Sequence, residues 1–339
     1  MLFQEMDYKC KALQPMPTWD NLHSTKLECF ILCPRKYLYE HIFGWEPEGV
    51  DLPMHFGSSW HEAMRYLLRN TSGTKEGRVC DAFDVFKSVW RQKVAEADDD
   101  PKNARSSGAA LLGLHDYLTT FPEEDFEVLY TEVFGSLPMT PDRFICFKID
   151  TVVRGPEGVY ALEHKTTSME SQMWKDSWTL SMQLHTYMHA LYTVYGDETY
   201  GAKINAGIFR KKGNLFLRIP IRRSFKQMSE WIWQVEYYLM LLEWSHNKLA
   251  VATQDDEILE AFPKNPGNCT KWNKICPYHA FCSADSWTNP LCYLPGPQPG
   301  FIIRFWDPLE EYKKTANFHI EEGRIEPYGP RATNADEAH

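Results

Sequence analysis

Two acidic residues and a lysine near the ends of two apolar stretches carry the clearest chemical signal in this sequence. Asp150 lies in the stretch 144–153, and twelve residues separate it from Glu163, which stands two positions before Lys165 in the stretch 159–165. Residues two apart in a β-strand point to the same face, so Glu163 and Lys165 should project side by side. Two carboxylates at neighbouring strand ends can bind a hard divalent cation, which prefers oxygen ligands. The lysine adds a positive charge where a phosphate and an attacking water would meet, so the pattern predicts phosphodiester hydrolysis.

An ordinary structural explanation also exists for each of these residues. Acids at strand ends are commonly surface residues, and an exposed ion pair between Lys165 and Glu163 would be worth at most about 1 kcal/mol. However, Asp150 follows Phe147 and Ile149 within its own apolar stretch. An unpaired carboxylate in apolar surroundings is costly, so acids placed there need a compensating partner, and a metal ion supplies one.

Other polar residues lie at spacings that would let them join such a site. His61 follows Gly57 by four residues in a predicted helix. An imidazole beside two carboxylates suits Mg²⁺ or Mn²⁺, and the nitrogen ligand favours Mn²⁺. Gln183 and Tyr187 are one helical turn apart and therefore share a face. Glu132, in the first predicted strand, is a candidate additional acid facing the same cleft, and packing or solvation is the alternative for each of these residues.

The nine cysteines divide into a cluster and several scattered residues. Cys269, Cys276 and Cys282 lie in a segment rich in Pro and Gly, with six and five residues between them, which is a local metal-binding pattern. A fourth thiol could come from Cys292, which would give a zinc site. It could instead come from Cys33, 236 residues before Cys269, which would give an iron–sulfur site. The cysteines interpreted as ordinary are Cys10, Cys29, Cys80 and Cys146.

Taken together and in this order, these elements resemble the PD-(D/E)XK nuclease superfamily. Within it, they resemble the RecB-like, CRISPR-associated-exonuclease-like branch, which carries a four-cysteine iron–sulfur cluster. The acid–acid–lysine run matches the catalytic motif of the superfamily. Residues 33–37 (CPRKY) resemble the amino-terminal element of the branch, residues 57–61 its GxxxH element, and residues 183–187 its QxxxY helix. The resemblance extends over roughly residues 24 to 285.

The resemblance implies a catalytic role for each motif residue. Lys165 would orient or deprotonate the attacking water. Gln183 would lie near the scissile phosphate or the metal-bound waters, and Tyr187 would lie against DNA. One or two Mg²⁺ or Mn²⁺ ions would be held by His61, Asp150 and Glu163, with the backbone carbonyl of His164 as a further contact.

The same resemblance implies a structural 4Fe–4S cluster that ties the first predicted helix to the carboxy-terminal region and frames the DNA entrance. The spacing of six residues between two of the thiols is wider than the tight CxxC of many relatives. The implied cluster ligands are Cys33, Cys269, Cys276 and Cys282.

Composition limits the class of protein further. With 339 residues, 43% of them hydrophobic, and twelve tryptophans, the chain can bury a sizeable core. No apolar run approaches the roughly 18 residues of a membrane span, and the start shows no signal-peptide pattern, so we expect a cytoplasmic protein without membrane contact. The net charge of −10 counts against a large nucleic-acid surface. Arg210, Lys211 and Lys212 still offer a local phosphate contact, with a solvated turn as the alternative.

The periodicity of apolar residues predicts an α/β fold, and the resemblance implies a restriction-endonuclease-like core, in which helices flank a mixed central sheet. We expect a nuclease domain over 24–290, after a lead-in at 1–23. It would contain a helical insertion at about 66–125 and an iron–sulfur region at 263–290, and a partly flexible extension at 291–339 would follow. The cysteine region should be pinned by something other than a hydrophobic core, and the chain beyond residue 307 should fray.

Individual elements follow from the same patterns. Pro34 should reset the first helix, because proline removes a backbone donor and clashes with the preceding turn. The predicted helices are 24–44, 56–69, two within 80–121, 181–195 and 225–247. The predicted strands are 126–134, 143–153, 159–165 and a hairpin of 203–210 with 214–221.

We expect a metal-dependent DNA nuclease, and the resemblance favours an exonuclease that acts at DNA ends in recombination, repair or phage DNA metabolism. The sequence has no GxxxxGK[ST] phosphate-binding loop, so any motor would belong to a separate helicase or recombination protein. Trp60, Trp174 and Trp178 could stack on single-stranded bases, although core packing is the commoner fate. The alternatives are a structure-specific or single-strand endonuclease, and a catalytically silent DNA-binding scaffold, which the intact catalytic motif argues against.

Overall fold

The computed structural model describes residues 2–271 and 274–328, and the chain divides into two compact units. The first unit comprises Met1–Gly49, Ser136–Phe147 and Phe225–Lys314. The second comprises Val50–Gly135, Lys148–Ser224 and Thr315–His339. Among the described residues, no helix combines the length and the apolar character that a membrane crossing requires.

Helices and strands are numbered in chain order. The helices are α1 Ser24–Leu32, α2 Pro34–Tyr37, α3 Leu52–Arg69, α4 Lys75–Trp90, α5 Ser107–Thr120, α6 Gln172–Ser177, α7 Met182–Tyr195, α8 Phe225–Val251, α9 His279–Ser283 and α10 Pro308–Thr315. The strands are β1 Leu22–His23, β2 Trp45–Pro47, β3 Glu127–Thr140, β4 Arg143–Gly155, β5 Gly158–Thr167, β6 Thr199–Ile208, β7 Leu215–Ile221, β8 Thr270–Lys271, β9 Lys274–Ile275, β10 Phe301–Ile303, β11 Phe318–Glu321 and β12 Arg324–Pro327.

A mixed sheet organises the second unit, with the strand order β12-β11-β3-β4-β5-β6-β7. β4 and β5 are antiparallel, β5 and β6 are parallel, and β6 and β7 form the predicted antiparallel hairpin. In the first unit, β1 pairs in parallel with the start of β4, where Leu22 lies opposite Ile145. The predicted fold class, a mixed central sheet flanked by helices, is confirmed.

Strand β5 presents different chemistry to the two faces of the sheet, because successive side chains of a strand point in opposite directions. Tyr160 and Leu162 belong to a buried cluster that includes residues of α3, α4 and α5. Lys165 projects to the other face and bonds to Gln183 of α7, at 3.0 Å. β5 therefore separates a helical layer, which supplies the core, from the helix that carries the predicted Gln183–Tyr187 pair.

The helical layer begins at residue 52, four residues before the predicted start. The Asp51 carboxylate accepts a hydrogen bond from the Met54 N–H at 3.0 Å, and Pro53 stands in the first turn, so both helix-start signals precede Phe56. Ser106 caps α5 in the same way. Gly113 lets α5 approach the sheet closely, because a Cβ there would lie 2.6 Å from the Phe209 ring.

The first unit confirms that Pro34 resets the first helix. α1 ends at Leu32, Cys33 has an extended backbone with φ of −163°, and Pro34 opens α2. A π-helical turn, Leu38–Ile42, follows directly, and the Phe43 N–H donates to the Leu38 carbonyl at 2.9 Å.

The cysteine region has an aromatic core, so the expectation that it lacks a hydrophobic core is wrong. The Tyr278 hydroxyl donates to the Trp45 carbonyl at 2.5 Å, and the Phe281 and Trp287 rings stack with centroids 4.3 Å apart. Tyr39 stacks on Tyr278. These rings come from positions far apart in the sequence and follow no helical or strand period, so a local pattern could not reveal them.

Both ends of the described chain are more ordered than their sequences predict. The Phe3 ring stacks on His246 with centroids 3.8 Å apart, and Trp19 is buried in the same unit. Beyond residue 307, β11 pairs in parallel with β3, with Phe318 opposite Val133, so the expected fraying is wrong for this strand. A strand edge supplies backbone hydrogen bonds and needs no apolar sequence from its partner. Residues 329–339 of the expected flexible extension lie outside the described residues.

The Trp60 side chain is expected to stabilise the second unit, because it is 1% exposed and packs against Phe209 and Phe216. Trp60→Ala should lower the free energy of unfolding by about 3–5 kcal/mol, measured by urea denaturation. The control is Leu112→Ala on α5, where the side chain is 64% exposed and the expected loss is below about 0.5 kcal/mol. Equal losses for the two variants would contradict the packing of Trp60.

Candidate active site

The first part of the site joins Asp150 of β4 to His61 of α3. The His61 Nδ1 atom lies 3.3 Å from Asp150 Oδ2, and the His164 backbone N–H donates to the same oxygen at 3.1 Å. Burial acts to raise the pKa of Asp150, but the charge and hydrogen bond of His61 outweigh burial and hold that pKa far below its usual value. Burial likewise acts to lower the pKa of His61, and Asp150 overcomes it, so that the pKa of His61 is raised.

The second part of the site is a hydrogen-bonded chain around Glu163. The Lys165 ammonium donates to Glu163 Oε1 at 2.6 Å and to the Gln183 amide oxygen at 3.0 Å. Gln183 Nε2 lies 2.9 Å from Glu163 Oε1 and 2.8 Å from the Tyr187 hydroxyl. The Tyr187 hydroxyl in turn donates to the Lys148 carbonyl on β4 at 2.7 Å. The structure therefore brings together the predicted Glu163, Lys165, Gln183 and Tyr187, and Gln183 connects the acid to the lysine.

Glu163 retains an unsatisfied oxygen. Its side chain is 1% exposed, and Oε2 is buried without a hydrogen-bond partner among the described residues. Burial and the nearby charge of Asp150 raise the pKa of Glu163 to about 7, although Lys165 and His61 act in the opposite direction. A buried, unpaired carboxylate oxygen beside a second carboxylate is the setting in which a divalent cation would be stabilised.

The predicted metal ligands are neighbours but do not form a closed coordination shell. Asp150 and Glu163 both raise the pKa of His61, and Asp150 and His61 both act on the pKa of Glu163, which places the three residues in one electrostatic cluster. Among the described residues, His61, Asp150 and Glu163 do not offer three ligand atoms that all lie within 4.8 Å of one another. Direct binding of one ion by all three predicted ligands would therefore draw them closer together. Their donor set of two carboxylates and one imidazole fits Mg²⁺ or Mn²⁺.

The side chain of His164 has a structural position that the sequence did not indicate. It is buried on the face opposite Glu163, and its Nδ1 lies 3.0 Å from the Asn205 amide nitrogen on β6. Burial lowers the pKa of His164 to about 3, so the ring is neutral at physiological pH. Its backbone N–H supports Asp150, so the residue contributes to the site through its main chain.

Glu132 is paired with Lys148, a residue that the sequence reasoning missed. The Glu132 carboxylate accepts a hydrogen bond from the Lys148 ammonium, which also bonds to Thr315 Oγ1 at 3.0 Å. Burial and the charge of Asp150 raise the pKa of Glu132 and outweigh Lys148, which lowers it. Glu132 has a φ of +55°, a strained backbone conformation of the kind found at functional sites. The sequence did contain a signal for Lys148, because it lies two residues before Asp150 and therefore on the same face of the strand.

The basic residues predicted to contact DNA lie in an exposed turn between β6 and β7. Arg210, Lys211 and Lys212 are all exposed, and the Arg210 guanidinium lies 3.7 Å from Glu170 Oε2. Trp178 is half-buried, with the Lys165 ammonium 5.5 Å from its ring centre. Trp60, in contrast, is 1% exposed and packs in the core, which is the commoner fate expected for such a side chain.

The four predicted cluster cysteines lie in the first unit as half-buried thiols. The Asn265 and Asn268 side-chain amides donate to the Leu32 carbonyl at 2.9 and 2.7 Å, which ties the end of α1 to the cysteine region. Burial raises the pKa of Cys276, and its neighbours Cys33 and Cys269 contribute.

The spacing of these thiols bears on the choice of metal. Among the described residues, no three cysteine sulfurs lie within 4.8 Å of one another. A tetrahedral zinc ion, with Zn–S distances of about 2.3 Å, would require sulfur separations of roughly 3.8 Å. The fourth thiol of the zinc alternative, Cys292, is exposed and contacts the Gln254 carbonyl at 3.0 Å. The described thiols therefore do not form a closed tetrahedral zinc shell.

The raised pKa of Glu163 predicts a pH-dependent stability of the metal-free protein. Between pH 4.5 and about 7 the unfolded chain loses the proton of Glu163 and the folded protein keeps it, so stability falls as the pH rises through this window. Glu163→Gln should reduce this fall by on the order of 1–3 kcal/mol, measured by urea denaturation at several pH values in a chelator. Glu243→Gln, at an exposed position of α8, should leave the pH profile unchanged. Parallel profiles for wild type and Glu163→Gln would contradict the raised pKa.

Comparisons with known proteins place the whole chain in context. A model of the PD-(D/E)XK nuclease superfamily matches residues 22–283. A solved structure described as "Crystal structure of SSO0001" is similar at 13% identity and a TM-score of 0.26, covering 66% of this chain and 76% of that chain. The comparison with curated proteins gave no match. Because the family model spans well over half of the 339 residues and includes every residue of the site, the chain belongs to the PD-(D/E)XK nuclease superfamily.

Proposed function

We propose that this protein is a Mg²⁺- or Mn²⁺-dependent DNA nuclease that acts as an exonuclease at DNA ends. The environment of Glu163 is the observation that carries this proposal. One oxygen of this buried carboxylate is held by Lys165 and Gln183, and the other is unpaired beside Asp150. An unpaired oxygen on a buried carboxylate costs free energy, and a bound divalent cation would offset that cost. Membership of the superfamily independently supports nuclease chemistry.

Lys165 has the position required of the residue that handles the attacking water. Two acceptors, Glu163 and Gln183, fix its ammonium and leave its charge directed towards the acids of the site. In this proposal the ammonium orients the water and stabilises the negative charge that develops on the phosphate. A divalent ion held by His61, Asp150 and Glu163 would polarise the phosphate and promote loss of a water proton.

Gln183 and Tyr187 act as positioning residues in this proposal. Gln183 holds the lysine and the acid at a fixed separation, and Tyr187 anchors Gln183 to the backbone of β4 through the Lys148 carbonyl. Such a chain keeps the reacting groups preorganised before DNA binds, which is a main source of catalytic power in phosphoryl chemistry.

The distribution of charge favours contact with a short piece of DNA rather than with a long duplex. The chain has a net charge of −10, so phosphate contacts must be local. The exposed turn of Arg210, Lys211 and Lys212 offers one such contact in the same unit as the catalytic residues. A nuclease that grips an end needs only a contact of this size, and it would serve recombination, repair or phage DNA metabolism, alone or with a separate helicase or recombination protein.

A 4Fe–4S cluster held by Cys33, Cys269, Cys276 and Cys282 is part of the proposal. The amide contacts to Leu32 bring Cys33 towards the cysteine region, and the pKa effects among the thiols support their proximity. The cluster would then fasten α1 to the segment 263–282 of the first unit.

Lys165→Ala should abolish cleavage, with a loss of about 10²-fold or more in rate, because the variant lacks the charge beside the attacking water. The measurement uses end-labelled linear and covalently closed circular DNA, single- and double-stranded, with Mg²⁺ or Mn²⁺. Lys313→Ala, at a half-buried lysine of α10 paired with Glu310, is the control and should retain full activity.

The outcomes separate the candidate functions. Loss of linear DNA alone, abolished by Lys165→Ala, supports the exonuclease, and the label gives its polarity. Cleavage of circles would favour the endonuclease. Retained activity in Lys165→Ala, or DNA binding without cleavage by the folded wild type, would contradict the proposed catalytic assignment.

Protein purified without oxygen should be brown and should contain iron and acid-labile sulfide in equal amounts. Cys276→Ala should lose the colour and most of the iron, because it removes one of the four ligands. Cys80→Ala, at an exposed cysteine of α4, should keep both. A colourless wild type that contains zinc instead would contradict the iron–sulfur assignment.

A further inference from the structure

Three possible metal ligands lie together in the first unit, and none belongs to the catalytic site or to the four cysteines of the proposed cluster. One ligand atom from each of Cys29, Glu40 and His41 lies within 4.8 Å of the other two. Cys29 Sγ is 4.0 Å from Glu40 Oε2, and His41 Nε2 is 3.9 Å from Glu40 Oε1. A thiol, a carboxylate and an imidazole therefore lie close enough together to share one ion.

The local backbone explains how these side chains converge. Cys29 lies on α1, while Glu40 and His41 both lie within the π-helical turn Leu38–Ile42. A π-turn is rare and is often found at functional sites, because it redirects side chains away from their α-helical positions. Here the rare turn contains two of the three ligands.

One ring nitrogen of His41 is buried and makes no hydrogen bond among the described residues. The His41 side chain is 10% exposed, and this nitrogen is Nε2. Burial holds the pKa of His41 well below its ordinary value, so the ring is neutral. A neutral imidazole is the form that binds a metal ion, and a buried nitrogen without a hydrogen bond is otherwise costly.

The charges near the trio are compatible with a bound cation. The Lys36 ammonium lies 3.3 Å from Glu40 Oε2, which leaves Oε1 on the side of His41. Burial and the charge of Glu40 raise the pKa of the Cys29 thiol, while Lys36 lowers it. A metal ion would replace the thiol proton, which would be released to solvent, so that one thiolate and one carboxylate balance a divalent charge.

We propose that Cys29, Glu40 and His41 form a zinc site, with a water molecule as the fourth ligand. Zinc accepts sulfur, nitrogen and oxygen ligands in one tetrahedral shell at about 2.0–2.3 Å, which corresponds to ligand separations of roughly 3.3–3.8 Å. His41 and Cys29 face different oxygens of Glu40, at 3.9 and 4.0 Å, so binding of one ion would require Glu40 to turn and the three ligands to draw together from within 4.8 Å. Such an ion would fasten α1 to the π-turn.

The site lies close to the proposed iron–sulfur ligands, so a test must distinguish the two. Cys33 and Cys276 are among the groups whose charges raise the pKa of Cys29. Anaerobically purified brown protein keeps the four cluster cysteines occupied, and any further thiolate–metal bond must then come from a cysteine outside that set.

The test is titration of this protein with Co²⁺ after removal of loosely bound metals by a chelator. We expect one additional equivalent of Co²⁺ per chain, with the intense visible bands of tetrahedral cobalt and a thiolate-to-cobalt charge-transfer band. Cys29→Ser and His41→Gln should each weaken binding by at least about tenfold, because loss of a direct ligand should cost no less than loss of an outer-shell partner. Cys80→Ser and His115→Gln, at exposed positions, should bind like wild type.

Several results would overturn the proposal. Absence of tetrahedral cobalt bands in wild type, or unchanged binding in both Cys29→Ser and His41→Gln, would do so. Cobalt bands that depend on Cys276 but not on Cys29 would assign the ion to the cluster cysteines. Circular dichroism identifies a variant that fails to fold, and Zn²⁺ should raise the melting temperature of wild type but not of a folded Glu40→Gln variant. If the protein is colourless, the iron–sulfur assignment has failed, but the zinc site can still be tested. Cobalt binding that is weakened by Cys29→Ser and unchanged by Cys276→Ala supports the zinc site.

Discussion

The cost of burying Glu163 beside Asp150 constrains the second unit of this protein. Two carboxylates in one low-dielectric region repel each other, so each needs its own cationic or hydrogen-bonding partners. Asp150 has His61 and the His164 N–H, and Glu163 has Lys165 and Gln183. These partners come from α3, β5 and α7, so the chemistry requires that all three elements pack correctly around β4.

Strand β5 meets this requirement because its site residues and its core residues point to opposite faces of the sheet. Its odd-numbered residues, Glu163 and Lys165, point to the face of α7, and its even-numbered residues Tyr160 and Leu162 enter the apolar core. A shift of one residue in strand register would place the lysine in the core, so the packing of the helical layer also protects the site. One oxygen of Glu163 stays unpaired, which makes the metal-free site less stable than an ordinary core, as is common where function requires strain.

A different principle organises the first unit. Pro34 separates α1 from α2, and the side chains of Asn265 and Asn268 hold the end of α1 against the cysteine region. Aromatic rings from α9, from β2 and from the π-turn then provide the local core. This region therefore lacks the periodic apolar stripe by which most cores are recognised. Hydrogen bonds to a helix end and contacts between scattered rings stabilise it instead, so its sequence resembles that of an unsupported loop.

The sequence by itself determined the type and order of most elements around the site, because apolar periodicity and proline positions act locally. It also determined which faces carry Glu163 with Lys165 and Gln183 with Tyr187, because strand and helix periods are fixed geometry. The pairing of β11 with β3, the pairing of Lys148 with Glu132, and the convergence of Cys29 with His41 were decided only by the tertiary structure. In each of these cases the partners lie on different elements or in an irregular turn, where the spacing in the sequence carries no information about distance in space.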